Sequence, residues 1–326
     1  MSDPSVAAAG AALTAGAADQ VTAAEHAGPS GGGAGQPDKP RGLFSDAWVE
    51  LRHRPLFWIS ALVILLVVVM AAFPQLFTSA DPTFGDLSRS RQGPSAQAWF
   101  GYDNQGYDIY ARVIYGARAS IVVGVLATVG AVLLGSTFGI LAGYFGGWLD
   151  AILSRGADVF AGLPFVLGSI VILTTLNAEG GAGPVRIVAQ VVLSIMALSW
   201  PVSMRIMRSA AITAKQQDYV KAARGLGASP RRIILRHLLP NCLAPVLVYS
   251  TIALGAFIGL EATLSYLGVG LRQPVVSWGV MINAAKDYIR VAPHALLFPA
   301  GFLTVTVLAF VMLGDAVREA LDPKLR

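Results

Sequence analysis

The chain has 326 residues, 55% of them hydrophobic and only 13% charged, with a mean hydropathy of +0.61. Soluble domains carry about 25% charged residues, so this composition cannot solvate a globular surface of that length. A soluble enzyme, a collagen-like fibre and a disulfide scaffold are excluded, the last because the single cysteine, Cys242, cannot close an internal bridge.

Residues 1–42 hold 12 Ala and 8 Gly and few large apolar side chains, which predicts a disordered tail. It does not read as a secretory signal, because its first basic residue is Lys39 and no apolar block precedes it. The first long apolar run, Leu56–Phe73, contains no charge. At a rise of about 1.5 Å per residue it covers roughly the 30 Å hydrocarbon core with its flanks. Further spans are predicted at Ala119–Gly143, Val159–Leu176, Ile187–Met204, Leu243–Leu260 and Ala295–Leu313, the second of these interrupted by Pro164. The expected class is an all-α integral membrane protein of about six spans. It divides into the tail 1–42, a first membrane helix and following loop over 43–118, and a core over 119–326.

Lys and Arg orient such a chain, because basic loops stay on the cytoplasmic side. With both termini cytoplasmic, 16 of the 24 Lys and Arg lie inside, against eight in the opposite orientation. The loops 74–118 and 261–294 then face outward.

Eight of the basic residues fall within 205–237, beside one acid, Asp218. Such a loop can serve simply as an anchor facing anionic lipid. Its internal order adds a short amphipathic helix, with Tyr219, Val220, Ala222, Ala223 and Leu226 at helical spacings on a narrow apolar face. Gly225 and Gly227 stop that helix, and Pro230 can open another. A helix bounded in this way suits a groove on a partner.

The stretch DYVKAARGLGASPRRIILRHLLPN, Asp218–Asn241, resembles the EAA loop of bacterial ABC-importer permeases. Ala222, Ala223, Gly227, Leu239 and Pro240 match that pattern, while Lys221 replaces its glutamate and His237 its isoleucine. Phe100–Ser120 is similar to the FGTDxxGRDxxSRxxYGARxS block of the C-type peptide permeases, with Tyr102 for Thr and Tyr107 for Arg. Glu261–Ile282 and Leu313–Arg326 resemble the closing blocks, with Val311 where many members carry Asn. The resemblance covers residues 44–326.

The resemblance implies a type I importer bundle in a bacterial plasma membrane, forming half of a translocation pathway for di- or oligopeptides. Its implied partners are a second homologous permease, one or two cytoplasmic ATPases using ATP and magnesium, and an extracytoplasmic substrate-binding protein. The loop 215–240 would couple to an ATPase through Asp218, Tyr219, Ala222, Ala223, Gly225, Leu226, Gly227, Leu239 and Pro240. ATPase closure would push this helix and tilt the attached spans.

No lysine follows a glycine, so no phosphate-cradling loop is present, and HExxH, CxxC and GxSxG are all missing. The chain is expected to be non-catalytic and to bind no cofactor or metal itself. Glu261, Asp103, Asp108 and Trp278 are candidates for the translocation path or outer gate. Against that, Glu261 can cap the loop after it, and the two aspartates can hold their loop through Asx turns and helix caps. Asp150, Arg155 and Asp158 are expected to form local ion pairs, and the glycines at 124, 130, 135, 139 and 143 a helix-packing stripe. The loop Gly268–Pro293 is expected along the membrane surface or at the gate. Three other readings stay open: a permease for nickel or another small solute, an ion-gradient secondary transporter, and a basic membrane anchor.

Overall fold

Where lipid replaces water, a chain satisfies its backbone N–H and C=O groups within each segment, so long apolar runs become helices. The computed structural model describes residues 43–176 and 183–321, with side chains from residue 48 onward. The predicted tail over 1–42 lies outside the described residues. Helix α1 is Leu43–Arg52, α2 Pro55–Ala72, α3 Ile109–Phe145, α4 Gly147–Gly162, α5 Phe165–Leu176 and α6 Pro184–Lys215. Then come α7, Asp218–Gly225, and α8, Pro230–Ile233, which passes through a wide turn at Ile234–Leu238 into α9, Leu239–Tyr266. Helices α10, Trp278–Ala285, and α11, His294–Leu321, complete the order. Among the described residues the β features are two isolated antiparallel bridges, Gly85 with Tyr107 and Tyr102 with Asp108.

Among the described residues, five helices are long and apolar enough to cross a membrane: α2, α3, α6, the run Pro230–Tyr266, and α11. The span expected over Val159–Leu176, with its interruption at Pro164, lies in a bent pair: α4 and α5 meet at 92°. Pro164 is the cause, since it disfavours helical geometry in the residue before it, and Leu163 is extended at φ −78°, ψ 128°. Counted as one, this pair makes a sixth span.

The second span begins at Ile109, ten residues before its expected start, so the boundary placed at 118/119 runs through a continuous helix. Two arginines hid this start in the sequence, and the fold gives both of them partners. The Arg112 guanidinium pairs with Asp103 at 3.1 Å, and Arg118 donates to the Ala71 and Ala72 carbonyls that end α2.

Helices α3 and α6 pack with their backbones close together. A Cβ on Gly135 would lie 2.5 Å from the Trp200 carbonyl oxygen, and one on Gly143 2.8 Å from the Ala211 methyl. Gly139 sits between them against the Met204 carbonyl. The glycine stripe therefore divides, because Gly124 instead faces Ile258 on α9. Gly139→Leu should cost about 3 kcal/mol by overpacking and lower the thermal midpoint of the purified chain by several degrees. An unchanged midpoint would show that these helices separate freely.

Candidate functional site

The chain reverses direction between α6 and α9 at the basic end of the bundle. Helix α7 is short because its exit is locked: Gly227 takes φ +79°, and the Ala228 N–H returns to the Ala223 carbonyl at 3.0 Å. Ser229 then caps α8, accepting from the Arg232 N–H, and Pro230 fills the first helical position. Asp218 pairs with Lys221 at 3.0 Å, one turn along the exposed surface of α7.

Val220 does not share the face expected for it. It is fully buried with Met207, Ala211, Ile233, Leu238 and Cys242, and so fastens α7 to the bundle. Tyr219, Ala222 and Leu226 are exposed, Leu226 at 89%, and Ala223 is partly so. Gly225, Gly227 and Pro240 are also exposed, while Leu239 packs on the Val220 cluster. Helical spacing placed these apolar residues close together but could not tell inward from outward. Tyr219 also borders a groove of about 800 Å³ lined by Ile206, Ala210, Gln217, Asn241 and Pro245. Partial burial, with Cys242 nearby, pushes its phenol above the ordinary range.

At the opposite end, the four candidate path residues are all engaged inside the protein. Asp103 accepts from the Gln105 and Tyr107 N–H groups at 2.8 and 3.0 Å and from Arg112 at 3.1 Å. The Tyr107 ring, standing where the family pattern has arginine, lies 4.3 Å from the Arg112 guanidinium carbon. Asp108 caps α3 by accepting from the Ala111 N–H. Trp278 is fully buried and donates from its indole N–H to the Val113 carbonyl at 2.9 Å, joining α10 to α3.

Glu261 is also fully buried, and three hydroxyls donate to it: Ser120 from α3 at 3.0 Å, Ser265 from α9 at 2.8 Å and Ser277 at 3.0 Å. Ser277 in turn caps α10 by accepting from the Val280 N–H. Sequence reading missed these serines, since a lone Ser in an apolar helix gives no signal until its acceptor is located. The expected local pairing of Asp150, Arg155 and Asp158 is corrected as well. Asp150 takes two hydrogen bonds from Arg208 at 2.5 and 2.6 Å, and Asp158 pairs with Arg205 at 3.0 Å, so both partners come from α6. Among the described residues, no three His, Cys, Asp or Glu side chains are grouped to hold a metal.

Residues 135–326, which carry the basic loop, match the family model for the inner membrane component of binding-protein-dependent transport systems. The chain belongs to this family. Residues 42–94 also match the N-terminal membrane domain of oligopeptide transport permease C. The dipeptide transport system permease protein DppC of Alkalihalophilus pseudofirmus is 36% identical over 281 residues, 86% of this chain and 90% of that protein. The glutathione transport system permease protein GsiD of Escherichia coli is 36% identical over 292 residues, 89% of this chain and 94% of that protein. In fold, this permease resembles the inward-facing MetNI methionine ABC transporter, with a TM-score of 0.53 at 18% identity over 65% of this chain and 96% of that one. It is a multi-pass membrane protein and a permease subunit of the peptide-type ABC importers.

Proposed function

We propose that this permease forms half of a translocation pathway for di- or oligopeptides and receives force through α7. The observation that carries the reading is the division of α7 between an anchoring Val220 and an outward edge of Tyr219, Ala222, Ala223 and Leu226. A helix pinned from behind and open in front transmits a push to the spans attached to it. Helices α6 and α9 leave the same loop and reach the far end of the bundle. Displacing α7 would therefore tilt both, the kind of rigid-body movement that switches access across a bundle.

In this reading both termini and α7 are cytoplasmic, and ATP and magnesium belong to one or two ATPase subunits. A second, homologous permease completes the pathway, and an extracytoplasmic binding protein delivers substrate to the end that carries α10. The chain itself performs no covalent chemistry. Peptide as the substrate class rests on the full-length similarity to permeases named for dipeptide and glutathione transport.

The test is reconstitution of the chain with its partner permease, ATPases and binding protein in proteoliposomes. ATP-dependent accumulation of a labelled dipeptide is the expected result. Accumulation that follows an imposed ion gradient and continues without the ATPases would refute the proposal.

A further inference from the structure

Two open cavities adjoin at the basic end of the bundle. The groove of about 800 Å³ beside Tyr219 meets a second of about 450 Å³, since Ile206 of α6 and Pro245 of α9 line both. Together they follow α9 from Asn241 to Ile252, roughly 16 Å at the helical rise, and Arg318 and Leu321 of α11 border the second. That length accommodates an extended chain of about four residues. The floor is apolar, through Ala210, Ala244, Val248 and Ile252, yet each cavity carries one arginine. Among the described residues, no Asp or Glu lines either. Arg205 is paired with Asp158 at 3.0 Å. Arg318 is exposed in the last turn of α11 and forms no ion pair among the described residues, and the acid next to it, Glu319, is held by Arg54. The wall of α9 adds acceptors. Pro245 brings no N–H to the Asn241 carbonyl one turn back, and the Asn241 side chain gives its amide N–H to the His237 carbonyl at 2.6 Å, leaving its oxygen.

We infer that this groove binds peptide at the basic end of the bundle and that Arg318 receives the peptide's C-terminal carboxylate. The inference rests on the transport reading above and names the residue of this chain that senses a group common to every free peptide. A guanidinium forks onto a carboxylate through two parallel N–H groups. A groove without carboxylates of its own leaves that charge to the ligand. The two Asn241 oxygens accept from peptide N–H groups, and the apolar floor takes side chains without a polar demand on them. The site therefore reads the end and the backbone of a peptide more than any one side chain. In the last turn of α11, Arg318 also suits the helix dipole. That role is indifferent to the charge of a ligand, so the ligand's charge is what the test varies.

The test measures equilibrium binding of a labelled dipeptide, and of the same dipeptide with its C-terminus amidated, to the nucleotide-free complex in nanodiscs. The binding protein is left out, so that the ligand meets the permease directly. The free acid should bind about tenfold more tightly than the amide, and added salt should narrow the difference. Arg318→Gln should bring the acid down to the affinity of the amide at an unchanged thermal midpoint, while Arg318→Lys keeps part of the preference. Equal affinity for acid and amide in the unaltered complex would overturn the inference without recourse to any variant. A preference that survives Arg318→Gln would overturn it too. So would the lack of saturable dipeptide binding, the result expected if lipid or the partner permease fills the groove. Each of these outcomes, alongside ATP-driven dipeptide uptake in proteoliposomes, removes this site alone; absence of that uptake removes the transport reading itself.

Discussion

Ala223→Glu is expected to abolish ATP-driven uptake while the protein still reaches the membrane and keeps its thermal midpoint. Ala223 is partly exposed at the outer edge of α7, so the free chain can hold a glutamate there with its carboxylate in water. Docking would enclose that charge without a partner, at a cost of about 3 kcal/mol or more. Since each 1.4 kcal/mol is roughly a factor of ten, association with the ATPase should fall by about a hundredfold. Ala222→Glu, at an exposed position on the same helix, should behave alike. ATPase co-purification together with uptake in vesicles checks both variants. Uptake that survives in both would remove α7 from the coupling route.

The second large effect is expected at Glu261. Replacing it by alanine would leave the hydroxyls of Ser120, Ser265 and Ser277 without their common acceptor and open a cavity between α3, α9 and α10. Buried donors left unsatisfied cost about 1–3 kcal/mol each, and the cavity adds to this. Partial rearrangement of the rotatable hydroxyls will recover some of it, so a net loss of about 3 kcal/mol is expected. A lowered thermal midpoint and faster proteolysis after Lys286 or Arg290 would report the release of α10. A residue serving mainly to contact substrate would give the opposite pattern, with altered peptide preference at an unchanged midpoint. Glu261→Gln separates the two further, because it preserves volume and lets the serines reorient towards the amide.

Both expectations concern residues that the sequence had already singled out, yet their surroundings became visible only in three dimensions. Leu226 and Val220 are both apolar residues in one short helical stretch, and no periodicity distinguishes a buried fastener from an exposed side chain when the helix is only eight residues long. Arg112 and Arg118 broke the apolar pattern and delayed the predicted start of α3 to Ala119. Their partners, Asp103 and the last carbonyls of α2, lie nine and more than 45 residues away. The same separation explains Asp150 and Asp158, whose arginines stand 58 and 47 residues along the chain. The Pro164 break was visible as a proline in an apolar run, but not the 92° turn that follows from it.

The low charge and the uncharged runs determined by themselves that this is an all-helical membrane protein, and the resemblance of the ordered Ala-Ala-Gly-Leu-Pro loop to the EAA pattern pointed to the importer-permease type. These are local properties: hydrophobic length, turn residues and a motif whose spacing survives without reference to the rest of the chain. Tertiary structure alone decided which of the candidate residues are engaged inside the bundle and which are exposed. Glu261, Asp103, Asp108 and Trp278 proved to be engaged inside the protein, whereas Leu226 proved to be exposed. The reason is that burying a polar group requires a specific donor or acceptor at about 3 Å, and here those partners come from helices far apart in the sequence. Scarcity of charge marks the membrane; only the folded arrangement shows which of the few charged and polar side chains are already spoken for.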